Sequence, residues 1–221
     1  MNQTVNFSSV TTKLPNISLD ANSSVFRERE ILIRMGDELD GVYRVNSGTV
    51  KLYQFTEAGE EHIIRFCLPG DIFGLGALAD GVSKSNAEVL DIANITFIPR
   101  KKILSGEGFD LPNFISKVTE TLSKESEHSM MLSQYTASRR LAWFLVEFSE
   151  NLSSRGMVGT EFSLPMIRAD IAKYLGVAIE TISRELTHFC KQGLLKKRLK
   201  HFEILDLEAL KAISKNAEII H

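Results

Sequence analysis

Across residues 30–100 the apolar positions come in short groups, EILIR, GVYRV, TVKLYQF, HIIRFC, AEVLDI and NITFIPR. Glycines punctuate them at Gly36, Gly41, Gly48, Gly59, Gly70, Gly74, Gly76 and Gly81. Groups this short, bounded by turn formers, predict the strands of a small β-barrel or sandwich rather than helices. Residues 94–97 alternate most clearly: Ile95 and Phe97 face one way, Asn94 and Thr96 the other, and Pro99 ends the run. After Pro112 the period changes. Ile115, Val118, Leu122, Glu125, Ser129 and Leu132 lie alternately three and four apart, the spacing of one face of a long helix. That stripe is a buried connector, ordinary core packing or a dimer seam. The helical pattern continues through ASRRLAWFLVEF after a break near Thr136, and a glycine-containing loop at residues 153–160 follows.

From Arg168 the chain runs RADIAKYLGVAIETISRELTHF, which places residue types where a helix-turn-helix needs them. Ile171, Leu175 and Val177 are apolar anchors, Ala172 lets two helices cross closely, and Gly176 accepts the sharp turn between them. Ile182, Leu186 and Phe189 set the second helix against the first, so that Ile179, Glu180, Ser183 and Arg184 turn outward near its N-terminus. Arginine can bond guanine O6 and N7 together, glutamate accepts from cytosine N4, and serine addresses either kind of group. The following GLLKKRLKHFEIL is expected to form two short strands with a basic connection, the wing of a winged helix. Lys196, Lys197, Arg198, Lys200 and His201 then lie along the phosphates, with Arg168 and Thr181 as further backbone contacts.

Composition changes this picture little. The 221 residues are 43% hydrophobic and 24% charged, which is ordinary globular material and excludes disorder and fibre. The formal charge of −2 argues mildly against a nucleic-acid binder until it is divided along the chain. Residues 1–135 carry −5 and residues 136–221 carry +3, and six of the cations fall between Arg184 and Lys200 against the single acid Glu185. The first 24 residues are rich in Ser, Thr and Asn and are expected to form a loose arm. They show neither a basic n-region nor an apolar h-region, and no apolar run approaches the roughly 18–20 residues needed to span a bilayer. A cytoplasmic protein without a membrane partner is expected.

These residues resemble the transcription regulators typified by the cyclic-AMP receptor protein and the fumarate-and-nitrate regulator. The resemblance covers the glycine-punctuated segments SGTVKLY, AGEEHIIRF and PGDIFG, the long helix, and the winged helix with IETISR. It implies an α+β chain: a loose arm over 1–24, a cyclic-nucleotide-binding-like β-roll over 25–110, a dimerisation helix over 111–135 and a winged helix-turn-helix over 136–221. It further implies a homodimer on double-stranded DNA, with RNA polymerase as a partner and no enzyme activity. The similarity is closest to the fumarate-and-nitrate branch, in which Glu, Ser and Arg at this spacing recognise half-sites of the form TTGAT. By it, Glu180 and Arg184 read the G·C pair and Ser183 the thymine end. The cyclic-AMP branch has an arginine before that glutamate, where Ile179 stands here. Two further departures are Glu185, at a place usually apolar, and a wing without the usual tip glycine, with Leu199 nearby.

The effector is legible mainly by absence. In the cyclic-AMP branch a GEL glutamate binds the ribose and an Arg-Ser pair clamps the phosphate. Here those segments hold Gly74-Leu75-Gly76 and Ser85-Asn86, and Lys84 is no bidentate substitute for arginine. The oxygen-sensing branch carries several N-terminal cysteines, whereas this chain has only Cys67 and Cys190. Cys67 is expected to be a small buried apolar residue, and the balance favours an equally bland role for Cys190, although modification there could alter DNA contact. The histidines at 62, 128, 188, 201 and 221 show no ligand spacing, so no metal or cofactor is assigned. Two alternatives remain: a relative gated by an unidentified small ligand in the β-roll, and a metalloenzyme on a cupin-like barrel, for which the barrel offers only His62.

Overall fold

The computed structural model describes residues 23–215, so most of the expected N-terminal arm and the last six residues, including His221, lie outside it. Eight strands open the described chain: β1 (Ser23–Phe26), β2 (Ile31–Ile33), β3 (Gly41–Ser47), β4 (Val50–Phe55), β5 (Glu61–Cys67), β6 (Ile72–Phe73), β7 (Asn86–Val89) and β8 (Ala93–Pro99). Every apolar group in the sequence forms one of them. The sequence pattern does not announce β1 and β6, which have four and two residues, and Ser23 and Ser24, placed in the arm, begin β1.

The strands make two antiparallel four-stranded sheets, β1-β8-β3-β6 and β2-β7-β4-β5. Alternating residues of both sheets, among them Val45, Val50, Leu52, Cys67, Phe73, Ala87, Val89 and Ile95, meet in one buried cluster. Gly48 turns β3 into β4 at φ +80, and a β-carbon there would lie 2.6 Å from Ala93 Cα, so only glycine fits. Two short helices, α1 (Ala77–Asp80) and α2 (Arg100–Ser105), complete the roll.

Helix α3 (Leu111–Gln134) begins where Asp110 accepts a hydrogen bond from the Asn113 amide at 3.1 Å and Pro112 occupies the first turn. It stops at Tyr135, which is extended, and Thr136 caps α4 (Ala137–Ser153). Phe114, Thr121, His128 and Met131 of α3 turn into the chain's own interior.

The remaining elements are β9 (Glu161–Ser163), α5 (Arg168–Leu175), α6 (Ile179–Lys191), β10 (Leu195–Arg198), β11 (His201–Ile204) and α7 (Leu207–Lys215). β10, β11 and β9 form a three-stranded antiparallel sheet. The wing is therefore backed by a strand that the sequence pattern does not show, because β9 has only Phe162 buried between exposed Glu161 and Ser163. Leu141, Leu145, Leu175, Ile182, Leu186, Leu195 and Leu210, each 1% exposed or less, hold this part together. Each contributes about 1.5–3 kcal/mol by burial.

Candidate nucleic-acid interface

Helices α5 and α6 are joined by Gly176 in the left-handed region at φ +61, and the Val177 amide closes the turn onto the Ala172 carbonyl at 3.0 Å. Ile182, Leu186 and Phe189 bury one face of α6, which leaves Ile179, Glu180, Arg184 and Thr187 exposed and Ser183 half-buried on the other. The Arg184 side chain is 73% exposed, and its Nε lies 3.8 Å from Glu185 Oε1. Glu185, at the position where an apolar residue is usual, is only 16% exposed and steadies Arg184 along the helix surface. No described side chain caps the N-terminus of α5 or α6, and each helix carries one acid in its first turn, Asp170 in α5 and Glu180 in α6, where it meets the positive end of the dipole.

Arg168 stands exposed at the start of α5, and Thr181 is half-buried in the first turn of α6. Lys196, Arg198 and Lys200 are exposed on the wing, with Lys196 Nζ 3.6 Å from Glu203. His201 Nε2 lies 3.2 Å from Glu161 on the neighbouring strand. Burial first, and then the Arg168 charge, pull the pKa of Lys197 below the ordinary lysine range. Two cations that repel one another in the free protein gain from any phosphate placed between them.

The stripe on α3 does not coincide with its inward face. Ile115 and Leu122 are 54% and 59% exposed, Glu125 and Ser129 are exposed, and Val118 and Leu132 are partly covered by the chain's own core. Glu125 stands on the rim of a cleft between β5 and α4, which Arg65, Trp143 and Glu147 also line.

Four side chains to which the sequence pattern gave no such role, Lys51, Lys173, Arg140 and His128, position the helix-turn-helix. Lys51, the second residue of β4 and with its side chain 6% exposed, lies 3.2 Å from both Glu61 and Glu88 and 3.8 Å from Asp170 of α5. Lys173 of α5 reaches Glu61 at 3.6 Å, so charged pairs join the β-roll to the first helix of the motif. Arg140 donates to the carbonyls of Leu132, Tyr135, Leu175 and Gly176, gathering the end of α3 and the turn of the motif on one guanidinium. His128, expected as a packing or surface residue, stacks on Tyr174 at 4.0 Å, and its Nε2 lies 2.9 Å from the Tyr174 carbonyl. A lysine inside the apolar run TVKLYQF was the one available signal for Lys51. Arginine bonds to backbone carbonyls leave no sequence trace.

On the effector side, Leu75 packs with Val42, Ile72, Ile103 and Phe114. Lys84 pairs with Asp80, and its side chain covers Gly76, where a β-carbon would meet Lys84 Cγ at 2.8 Å. Asn86 is structural: it accepts from the Met35 amide and donates to the Tyr53 carbonyl. These residues do not fit a cyclic nucleotide, because the ribose position holds Leu75 and Lys84, beside the phosphate position, is already paired with Asp80. Cys67 is fully buried, and burial pushes its thiol up to about 12, so it is a neutral core group. With Cys190 far along on α6 as the only other cysteine, the thiols do not fit an iron–sulfur cluster. Among the described residues no helix is long and apolar enough to cross a membrane.

Comparison with known proteins identifies the two domain types and the family. Residues 24–105 match the cyclic nucleotide-binding domain, and residues 139–213 match the Crp-like helix-turn-helix domain. The anaerobic regulatory protein of Haemophilus influenzae is 37% identical over 188 residues, covering 83% of this chain and 73% of that protein. The fumarate and nitrate reduction regulatory protein of Salmonella typhimurium is 37% identical over 191 residues, covering 84% and 75%. Among solved structures, FixK2 of Bradyrhizobium japonicum superimposes with a TM-score of 0.78 at 28% identity, over 90% of this chain and all of that one.

Proposed function

The chain belongs to the CRP/FNR family of DNA-binding transcription regulators, not enzymes, and from that premise we propose that it binds, as a homodimer, a two-fold DNA site close to TTGAT-NNNN-ATCAA. Glu180 and Arg184 read the G·C pair and Ser183 the thymine end, while Arg168, Thr181, Lys196, Lys197, Arg198 and Lys200 hold phosphates. One observation carries this reading: the three base-reading candidates occupy the unburied face of the first turns of α6, whose opposite face is fixed in the core. A symmetric dimer presents two such helices to half-sites about one helical turn apart. The β-roll over 25–110 serves as the sensor-like part, 111–135 as the dimer helix and 136–221 as the DNA-binding part. The protein works in the cytoplasm with RNA polymerase as its further partner. Selection of bound sites from random duplex DNA tests this, and enrichment of a motif unrelated to TTGAT, or of none, overturns it.

The dimer forms along Ile115, Val118, Leu122, Glu125, Ser129 and Leu132. Ile115 and Leu122 support this because they have little cover within the chain. On a two-fold axis Glu125 approaches its own copy, and like charges weaken an already thin apolar seam. Glu125→Ala is expected to dimerise about five- to thirtyfold more tightly than wild type, a change of one or two kcal/mol. Sedimentation at micromolar concentration checks it, and a variant that dimerises less well rules out charge repulsion as the brake. The fit of the β-roll residues supports a regulator without cyclic AMP and without an iron–sulfur cluster.

A further inference from the structure

The turn between β10 and β11 contains a residue for which the free protein has no use. Arg198 pairs with His201, so the hairpin loop is the two residues Leu199 and Lys200. Leu199 adopts φ +56, in the left-handed region that leucine disfavours, and it is 87% exposed. Two-residue loops that need positive φ ordinarily take Gly or Asn, which accept it at little cost. Leucine there pays backbone strain and recovers nothing by burial, a combination that points to a partner able to cover it.

The neighbouring charges say what the partner is. Lys197 lies on β10, which follows α6 directly, and Lys196, Arg198 and Lys200 are exposed on the same hairpin, so with α6 in the major groove the hairpin lies along the phosphate row beside it. Two residues further on, at about 3.3 Å each, the tip passes beyond that row. With α6 in the major groove, the groove on the far side of the row is the minor groove, whose walls are deoxyribose C–H surfaces. Exposed Arg198 and Lys200 flank the leucine and suit the phosphates on either side.

We propose that Leu199 is a further DNA-contacting residue, which packs into the minor groove beside each half-site and favours A·T pairs there. The inference rests on the reading of α6 given above. A guanine N2 amino group projects into that groove and obstructs the leucine, whereas adenine leaves the sugar edges open.

The test uses the full chain and duplexes with a fixed central site whose flanking pairs are A·T, G·C or inosine·C, the last having the minor-groove face of A·T. Wild type is expected to bind A·T and inosine·C flanks several-fold more tightly than G·C. Leu199→Gly is expected to melt about 2–4 °C higher, because the strain is relieved, and yet to bind DNA roughly tenfold more weakly with no flank preference. Leu199→Asn should also lose affinity, and Leu199→Met, apolar and similar in volume, should keep most of it. Glycine and asparagine variants that bind as tightly as wild type, or a flank preference that persists in them, overturn the proposal. Wild type that binds the central site no better than a scrambled duplex overturns the underlying reading of α6 instead, and the proposal with it.

Discussion

Lys51→Ala is expected to destabilise the protein by about 3–5 kcal/mol, because it leaves buried Asp170 and half-buried Glu88 without their cation and Glu61 with Lys173 alone. Lys51 stands within 4 Å of Glu61, Glu88 and Asp170, and its side chain is almost wholly covered. Burial works against its charge, but Asp170, Glu88 and Glu61 outweigh that, so its pKa lies above the ordinary lysine range. A group raised in this way contributes stability at every pH below the lysine range and loses it only as pH rises through its folded pKa. Asp170 is also raised, by burial and against the pull of Lys51. Its contribution is therefore favourable at low pH and lost as pH rises through its own folded pKa. Removing Lys51 raises Asp170 further, so the gap between wild type and variant should narrow as pH falls from 7.5 toward 5. Urea denaturation at the two pH values measures it. A gap below 1 kcal/mol, or one that is the same at both, would show that the three acids do not depend on this cation.

Arg140→Ala is expected to cost about 2–4 kcal/mol and to reduce DNA affinity beyond what unfolding explains. Its guanidinium donates to Leu132 and Tyr135 at the end of α3 and to Leu175 and Gly176 at the end of α5, where two helix dipoles present their negative ends. Lysine cannot reproduce that fork, so Arg140→Lys should recover less than half of the loss. Thermal melting together with DNA titration of the folded fraction checks both statements. Full recovery by lysine would mean that charge alone, and not the fork, holds the motif to α3.

Much of the architecture was legible because its causes are local. The strands follow from alternation and glycine turns, the α3–α4 break from Thr136, and the turn of the motif from Gly176, where the left-handed backbone excludes most side chains. β1, β6 and β9 were missed for the opposite reason: they are short, and they exist because neighbouring strands supply their hydrogen bonds. The outward residues of α6 could be named from spacing alone, since the buried face of an amphipathic helix determines the exposed one. Lys51, Asp170 and Arg140 act across the fold, and no local pattern reports a contact between residues 119 positions apart, as Lys51 and Asp170 are. The strain at Leu199 was likewise invisible, because it depends on a hairpin register that leaves only two residues for the turn.

The central claim is that the exposed face of α6 reads sequence. The direct measurement is equilibrium titration of wild type and Arg184→Ala with a TTGAT duplex and with one in which the G·C pair of each half-site is replaced, at fixed salt, with Lys197→Ala as control. Wild type should discriminate between the duplexes, and Arg184→Ala should lose about 1–3 kcal/mol on the first and nearly all of the discrimination. Lys197→Ala should weaken both alike and lower the salt slope by about one. Wild-type binding that is equal on both duplexes, or discrimination that survives in Arg184→Ala, would contradict the account.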